Sequence, residues 1–269
     1  MIMVKRLIFL LLIVSSCQHS DLLTIEGSIN NSLDEVSAAE SLINSDLIWV
    51  IEDAGNDNHL YGLSRKGKII RDITILNAEN TDWEDLTSDS EGNIYIGDFG
   101  NNNKKRKLFR ILKVKKEDLN ASRAHAEIIE FILPKDVKSK DFEAFFLFNN
   151  YFYIFSKETK KFIVLKVPNK TGRHEAIVRS DYNLKGKHNK ITSADISFND
   201  EKVLLLNHDK LWALSGFEDD DFFSGAINKL PFQHNTQKEG VCFVNDTIVI
   251  LTDERNDYEG GNIYSFNLK

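Results

Sequence analysis

The chain has 269 residues, of which 28% are charged and 42% hydrophobic, and a formal net charge of -7. That acidic balance argues against a nucleic-acid partner, which wants a basic face, and the length suits a single all-β domain. Only two cysteines occur, Cys17 and Cys242, and the first falls in a leader, so no intramolecular disulfide is available and core burial has to hold the fold.

Residues 1–17 read as a targeting segment, to be kept out of the fold. Lys5 and Arg6 form a basic start, and residues 7–14 are an apolar run too short for a bilayer, which needs ~20 residues. Val14-Ser15-Ser16-Cys17 resembles the lipobox of bacterial lipoproteins, which implies lipidation at Cys17 and a mature domain over residues 18–269. An ordinary cleaved signal peptide is the alternative. Gln18, where an Asp would retain some lipoproteins at the inner membrane, favours the outer membrane. The only membrane attachment expected is this anchor, on a monomer.

Residues 22–29 form an isolated strand-like run, and residues 32–42 read as a connection plus a first inner strand. From there the chain repeats itself. Ala38-Ala39-Glu40-Ser41-Leu42, Asp82-Trp83-Glu84-Asp85-Leu86, Asp141-Phe142-Glu143-Ala144-Phe145, Ser193-Ala194-Asp195-Ile196 and Gln237-Lys238-Glu239-Gly240-Val241 each open an apolar run. A second run follows each and ends in a polar cluster, such as Ile96-Gly97-Asp98-Phe99-Gly100 or Leu251-Thr252-Asp253-Glu254. Strand-like units at a period of roughly 45 to 60 residues indicate a β-propeller.

The second unit gives strands at 84–88, 94–97, 108–114 and 127–133, rich in β-branched and aromatic residues. The three prolines, Pro134, Pro168 and Pro231, stand beside strand ends, where no ladder bond is lost. The last unit supplies only three strands before the chain stops, and the run at 22–29 fits as its fourth. The expected fold is therefore all-β, a five-bladed β-propeller closed by an N-terminal strand and relieved of an exposed edge. The long stretch between Ser215 and Phe232 keeps six blades as the alternative.

In a propeller blade the innermost strand starts on the face to which the second strand returns. Glu40, Glu84, Glu143 and Glu239 should therefore gather at the channel mouth, with Ala194 replacing the acid in the fourth unit. Asp98, Asp253, Lys157, His208 and Arg255 should stand around them on loops. Carboxylates so arranged raise one another's pKa and need compensation. A Ca²⁺ ion is one answer, since it accepts a flexible set of oxygens; pairing with backbone amides or with Lys157, Lys238, Arg106 or Arg255 is the other. No EF-hand spacing follows Asp53 or Asp98. His59, His188, His208 and His234 fall in loops of the same face. Cys242, in Val241-Cys242-Phe243-Val244, reads as a buried hydrophobe.

Asp82-Trp83-Glu84-Asp85-Leu86 with Tyr95-Ile96-Gly97-Asp98-Phe99-Gly100, and Lys238-Glu239-Gly240-Val241 with Leu251-Thr252-Asp253-Glu254, resemble propellers of the SdiA-regulated and phytase-esterase-like group. The resemblance implies calcium on the channel face at Glu84, Glu143 and Glu239. No Gly-x-Ser-x-Gly, His-Glu-x-x-His, Walker loop or zinc cysteine pair is present. Two functions are thus expected. The first is a lipid-anchored envelope binding protein, with Ca²⁺ held by Glu40, Glu84, Glu143, Glu239, Asp98 and Asp253, and with Lys157, His208 and Arg255 facing a small ligand or an envelope partner. The alternative is a calcium-dependent phosphoester or ester hydrolase.

Overall fold

A computed structural model describes residues 23–256 and 259–268. Cys17 and the leader lie outside them. Among the described residues, no helix is long and apolar enough to cross a membrane; a single 3₁₀ turn, Lys116–Asp118, interrupts the strands.

Five antiparallel-cored sheets are arranged as the blades of a propeller, with innermost strands Glu40–Ser41, Trp83–Ser88, Phe142–Phe148, Ser193–Ile196 and Lys238–Phe243. Apolar residues on both faces of each blade explain the count. Among the described residues there are five buried clusters, and each one joins two neighbouring blades: 1 to 2 around Trp49 and Trp83, 2 to 3 around Phe109 and Phe142, 3 to 4 around Phe146 and Trp212. The ring continues from 4 to 5 around Leu204 and Phe243, and from 5 back to 1 around Ile250 and Val50. Fully buried rings such as Phe142, Phe145 and Phe152 each contribute about 1.5–3 kcal/mol by leaving water. Cys242 belongs to the last interface and is fully buried.

Closure occurs as the sequence predicts. Leu23–Ser28 pairs antiparallel with Asn262–Asn267 as the outer strand of blade 5. The seam is tightened by Gly67, whose φ is +80°; a Cβ there would lie 1.9 Å from the Ser28 carbonyl oxygen. We expect Gly67→Ala to lose about 3 kcal/mol, through a left-handed backbone and a backbone clash together. The check is urea unfolding: a lower midpoint at unchanged slope is expected, and an unchanged midpoint would contradict this account of the seam.

Two further devices link blades. Short strands from the outer loops of one blade pair in parallel with the outermost strand of the blade before it: Arg123–Ala124 on blade 1 and Gly172–Glu175 on blade 2. The stretch after Ser215, the basis for a six-bladed alternative, is a latch. Phe222 packs its ring edge-on to Phe146 and Tyr153 of blade 3, at 5.0 and 4.9 Å between centroids. Asp220 accepts from Lys166 and Arg179 and from the Tyr153 hydroxyl. Those three partners hold its carboxyl well below the usual carboxylate range. The stretch then ends in Ala226–Pro231, the outer strand of blade 4.

Candidate functional site

The inner strands of blades 2, 3 and 5 each carry one extra residue where they begin. Trp83 pairs with Asp98 and Asp85 with Gly97, so Glu84 is left over as a bulge; Glu143 and Glu239 are left over in the same way. A bulge re-aims its side chain, and all three acids come to the upper mouth of the propeller axis. Glu40 does not join them. In blade 1 the bridge Val36 to Glu52 and the pair Glu40 to Trp49 leave Ser37 as the extra residue, so Glu40 sits three residues further along its strand. Blade 4 has no bulge there: Ser193 aligns with Asp85, and Thr192, not Ala194, stands at the mouth.

Asp53, expected on a loop around the acids, and two carboxylates that the sequence analysis did not single out, Asp82 and Asp141, complete the cluster. Asp53, Asp82 and Glu84 form one group whose ligand atoms lie within 4.8 Å of one another, and Glu84, Asp141 and Glu143 form a second; the two share Glu84 and could hold a metal. Asp82 and Asp141 stand two residues before the bulged acids, in Asp82-Trp83-Glu84 and Asp141-Phe142-Glu143. The aromatic residue between each pair is fully buried between blades, which presents both acids on the mouth. Gly100 makes room: a Cβ there would lie 2.0 Å from Glu84 Oε1 and 2.4 Å from Asp82 Cγ.

Charge compensation is incomplete. Lys157 reaches Glu143 Oε2, and Glu143, Glu239 and Glu84 hold its ammonium above its ordinary range against the opposing effect of burial. Burial, then Glu143 and Asp53, raises Glu84 well above the usual carboxylate range, and burial raises Glu143 despite Lys157. Asp82 is pushed up to about 6 by burial, Asp53 and Asp141. Glu254 is pushed up to about 8 by burial, Glu239 and Asp53.

The remaining predicted residues divide. His208 Nε2 lies 3.0 Å from Glu239 Oε1 and lines an adjoining cavity of about 560 Å³ together with His188 and His234. His59 is elsewhere, against Asp72 on the outer part of blade 1. Asp98 and Asp253 lie outside both acid triads. Asp98 pairs with Arg106 at 2.8 Å and accepts from the Asp82 amide. Asp253 accepts from Thr236, the Asn262 amide and the Tyr264 hydroxyl. Arg255 donates to the Ile29 carbonyl at 2.6 Å and stands 3.6 Å from Asp34, fastening the segment that follows the closing strand.

Below the cluster the axis is plugged. Asp85 of blade 2 accepts from the Phe145 amide of blade 3 and from the Ser193 hydroxyl and Ala194 amide of blade 4, at 2.9–3.1 Å. Ser193 in turn accepts from the Val241 amide of blade 5. This bonded layer separates the upper acids from a second cavity on the lower face.

No protein-family model matches the chain, and no curated protein matches it in sequence. In structure it is similar to the aldose sugar dehydrogenase of Streptomyces coelicolor in its PQQ-bound form, with a TM-score of 0.55 at 7% identity over 92% of this chain and 98% of that one. At that identity the likeness concerns the fold alone, and it agrees with the propeller architecture.

Proposed function

We propose that this protein is a lipid-anchored, non-catalytic binding propeller of a bacterial cell envelope, of the SdiA-regulated kind, with a Ca²⁺ ion at the upper mouth. The observation that carries the reading is the pair of acid triads sharing Glu84. Asp53, Asp82, Glu84, Asp141 and Glu143 offer the several hard oxygens that Ca²⁺ prefers, and Lys157 neutralises only part of their charge. The ion would supply that missing positive charge and an attachment point for an anionic group of a small ligand or envelope partner. The histidine-lined cavity beside it gives that partner room.

Geometry also suits the anchor. Leu23 pairs with Phe266 on the lower rim, where Leu268 bonds to Thr247 in the inner hairpin turn. A lipid on Cys17, a few residues earlier, would turn the acid mouth away from the membrane.

The competing reading, a calcium-dependent hydrolase of phosphoester or ester bonds, would use a carboxylate among Glu84, Glu143 and Glu239 as general base on a water that the ion would activate. Turnover of a generic phosphomonoester and an aryl ester, with and without chelator, separates the two. We expect no chelator-sensitive hydrolysis. Hydrolysis that chelator stops and Glu143→Gln abolishes would replace the binding reading with the enzymatic one.

A further inference from the structure

The cavity beside the acid mouth has the opposite electrostatic character. Its volume, about 560 Å³, is in the range of small-molecule sites, and it lies where loops of blades 3, 4 and 5 meet. Thr159, His188 and Lys190 line it from two of those loops, residues 157–161 and 183–192, which together carry six lysines against one acid, Glu158. Lys140 engages that acid at 2.9 Å. Of the six lysines, Lys157 and Lys161 pair with Glu143 and Asp181, whereas Lys160, Lys185, Lys187 and Lys190 meet no carboxylate among the described residues. Asp209, the one carboxylate among the described lining residues, is taken by the buried Lys210 at 2.6 Å.

Behind the cavity stands a cation that lacks a direct counter-charge. Lys238 is fully buried, pairs with no carboxylate among the described residues, and donates to Thr236 Oγ1 and to His234 Nδ1, each at 2.9 Å. Asp253 is reached only through Thr236. Burial outweighs the attraction of Asp253 and pushes the Lys238 ammonium down to about 8. An ammonium can only donate, so His234 Nδ1 accepts from it and the neutral imidazole carries its proton on Nε2. Among the described residues nothing accepts from that Nε2–H, and His234 lines the cavity.

This inventory selects the ligand. Lys190 and Lys238 disfavour a cation, and none of the three imidazoles belongs to a group of ligand atoms close enough together to share a metal. His208 is occupied, its Nε2 lying 3.0 Å from Glu239 Oε1. What remains is the N–H donor of His234 and the ammonium of Lys190, with a buried positive charge one hydrogen bond behind, and such donors bind an anion. Pro231 and the imidazole rings add apolar carbon to the lining, which suits an organic body. We propose that this cavity binds a small organic anion, a carboxylate or phosphoryl group on an apolar ring, with the anionic oxygens accepting from His234 Nε2 and Lys190 Nζ. The site stands apart from the calcium reading, since none of the acids of the two triads lines it.

The test is calorimetric titration of the full-length chain, freed of metal on a chelating resin, with benzoate and with phenylphosphonate, and with benzyl alcohol as the uncharged match. At least one of the two anions should bind about 10-fold more tightly than the alcohol, or better. Lys190→Glu, at an exposed position, should weaken that binding by about 10-fold. His234→Phe, which keeps a ring and removes the Nε2–H, should do likewise. Lys105→Glu, the same charge change on an exposed loop of blade 2, should alter it by less than about twofold. Equal affinity for the alcohol would overturn the proposal. So would equal weakening by Lys105→Glu and Lys190→Glu, which would reduce the site to the general charge of the face, and so would absence of anion binding at tens of millimolar to the folded wild type. With metal absent throughout, the result is independent of any calcium response at the upper mouth.

Discussion

Without calcium, the protein should become less stable as pH rises from 5 to 8, and saturating calcium should offset that loss in full. The sign follows from the upper acids. Their folded pKa values lie above the unfolded values of about 4, with Asp82 at about 6 and Glu254 at about 8, and Glu84 and Glu143 also raised. The native state therefore binds more protons than the unfolded chain through this window, and stability is lost as pH climbs through the folded values. A melting temperature lower by about 5 °C at pH 8 than at pH 5 is the expected scale for a loss of ~2 kcal/mol. Calcium replaces the protons, so its affinity should increase with pH. At a hundredfold excess over Kd it should restore about 2.7 kcal/mol. Glu84→Gln separates electrostatics from packing, because it removes the acid common to both triads while keeping its shape. It should melt higher than wild type at pH 8 without calcium and show no calcium response. Equal melting of the wild type with and without millimolar calcium at pH 8 would remove the metal from the upper mouth.

The blade rhythm could be read from one sequence because each inner and second strand is an apolar run set off by polar loops, and that alternation survives wide variation in loop length. Register could not. Glu40 looks like Glu84 because Ala38-Ala39-Glu40 copies the local pattern of an inner strand, yet the bulged position equivalent to Glu84 is Ser37, and Glu40 lies three residues beyond it. One extra residue changes which side chains meet without changing composition. Asp82 and Asp141 carried a legible signal, the repeated acid-aromatic-acid triplet, whose middle residue is an interface anchor. Asp98 and Asp253 look like loop acids, but their partners Arg106, Thr236 and Tyr264 lie nearby in their own blades, and such pairing depends on loop conformation. The latch at Phe222 was obscure for a different reason. Its partners belong to the neighbouring blade, some 70 residues earlier in the chain.

Asp85→Ala should be the most destabilising single truncation in the molecule outside the aromatic interfaces. Asp85 reads in sequence as the fourth letter of Asp82-Trp83-Glu84-Asp85-Leu86, with nothing to distinguish it from a surface acid. In the structure it is fully buried, and its two oxygens serve three donors on two other blades. Alanine would strand the Phe145 and Ala194 amides and the Ser193 hydroxyl, all on fully buried residues, at about 1–3 kcal/mol for each donor left unpaired. Allowing for non-additivity within one network, the loss should be about 4 kcal/mol, or a melting temperature lower by roughly 8–16 °C. Asp85→Asn tests the chemistry rather than the volume. Burial raises the Asp85 carboxyl well above its ordinary range, against the pull of its hydrogen bonds, so an uncharged amide of the same shape should be tolerated. Its oxygen can take both backbone amides and its NH₂ can donate to Ser193 Oγ. We therefore expect Asn within about 1 kcal/mol of wild type at neutral pH. An Ala variant as stable as wild type would show that the blades are held by their apolar interfaces alone, and that the polar layer on the axis only fills space.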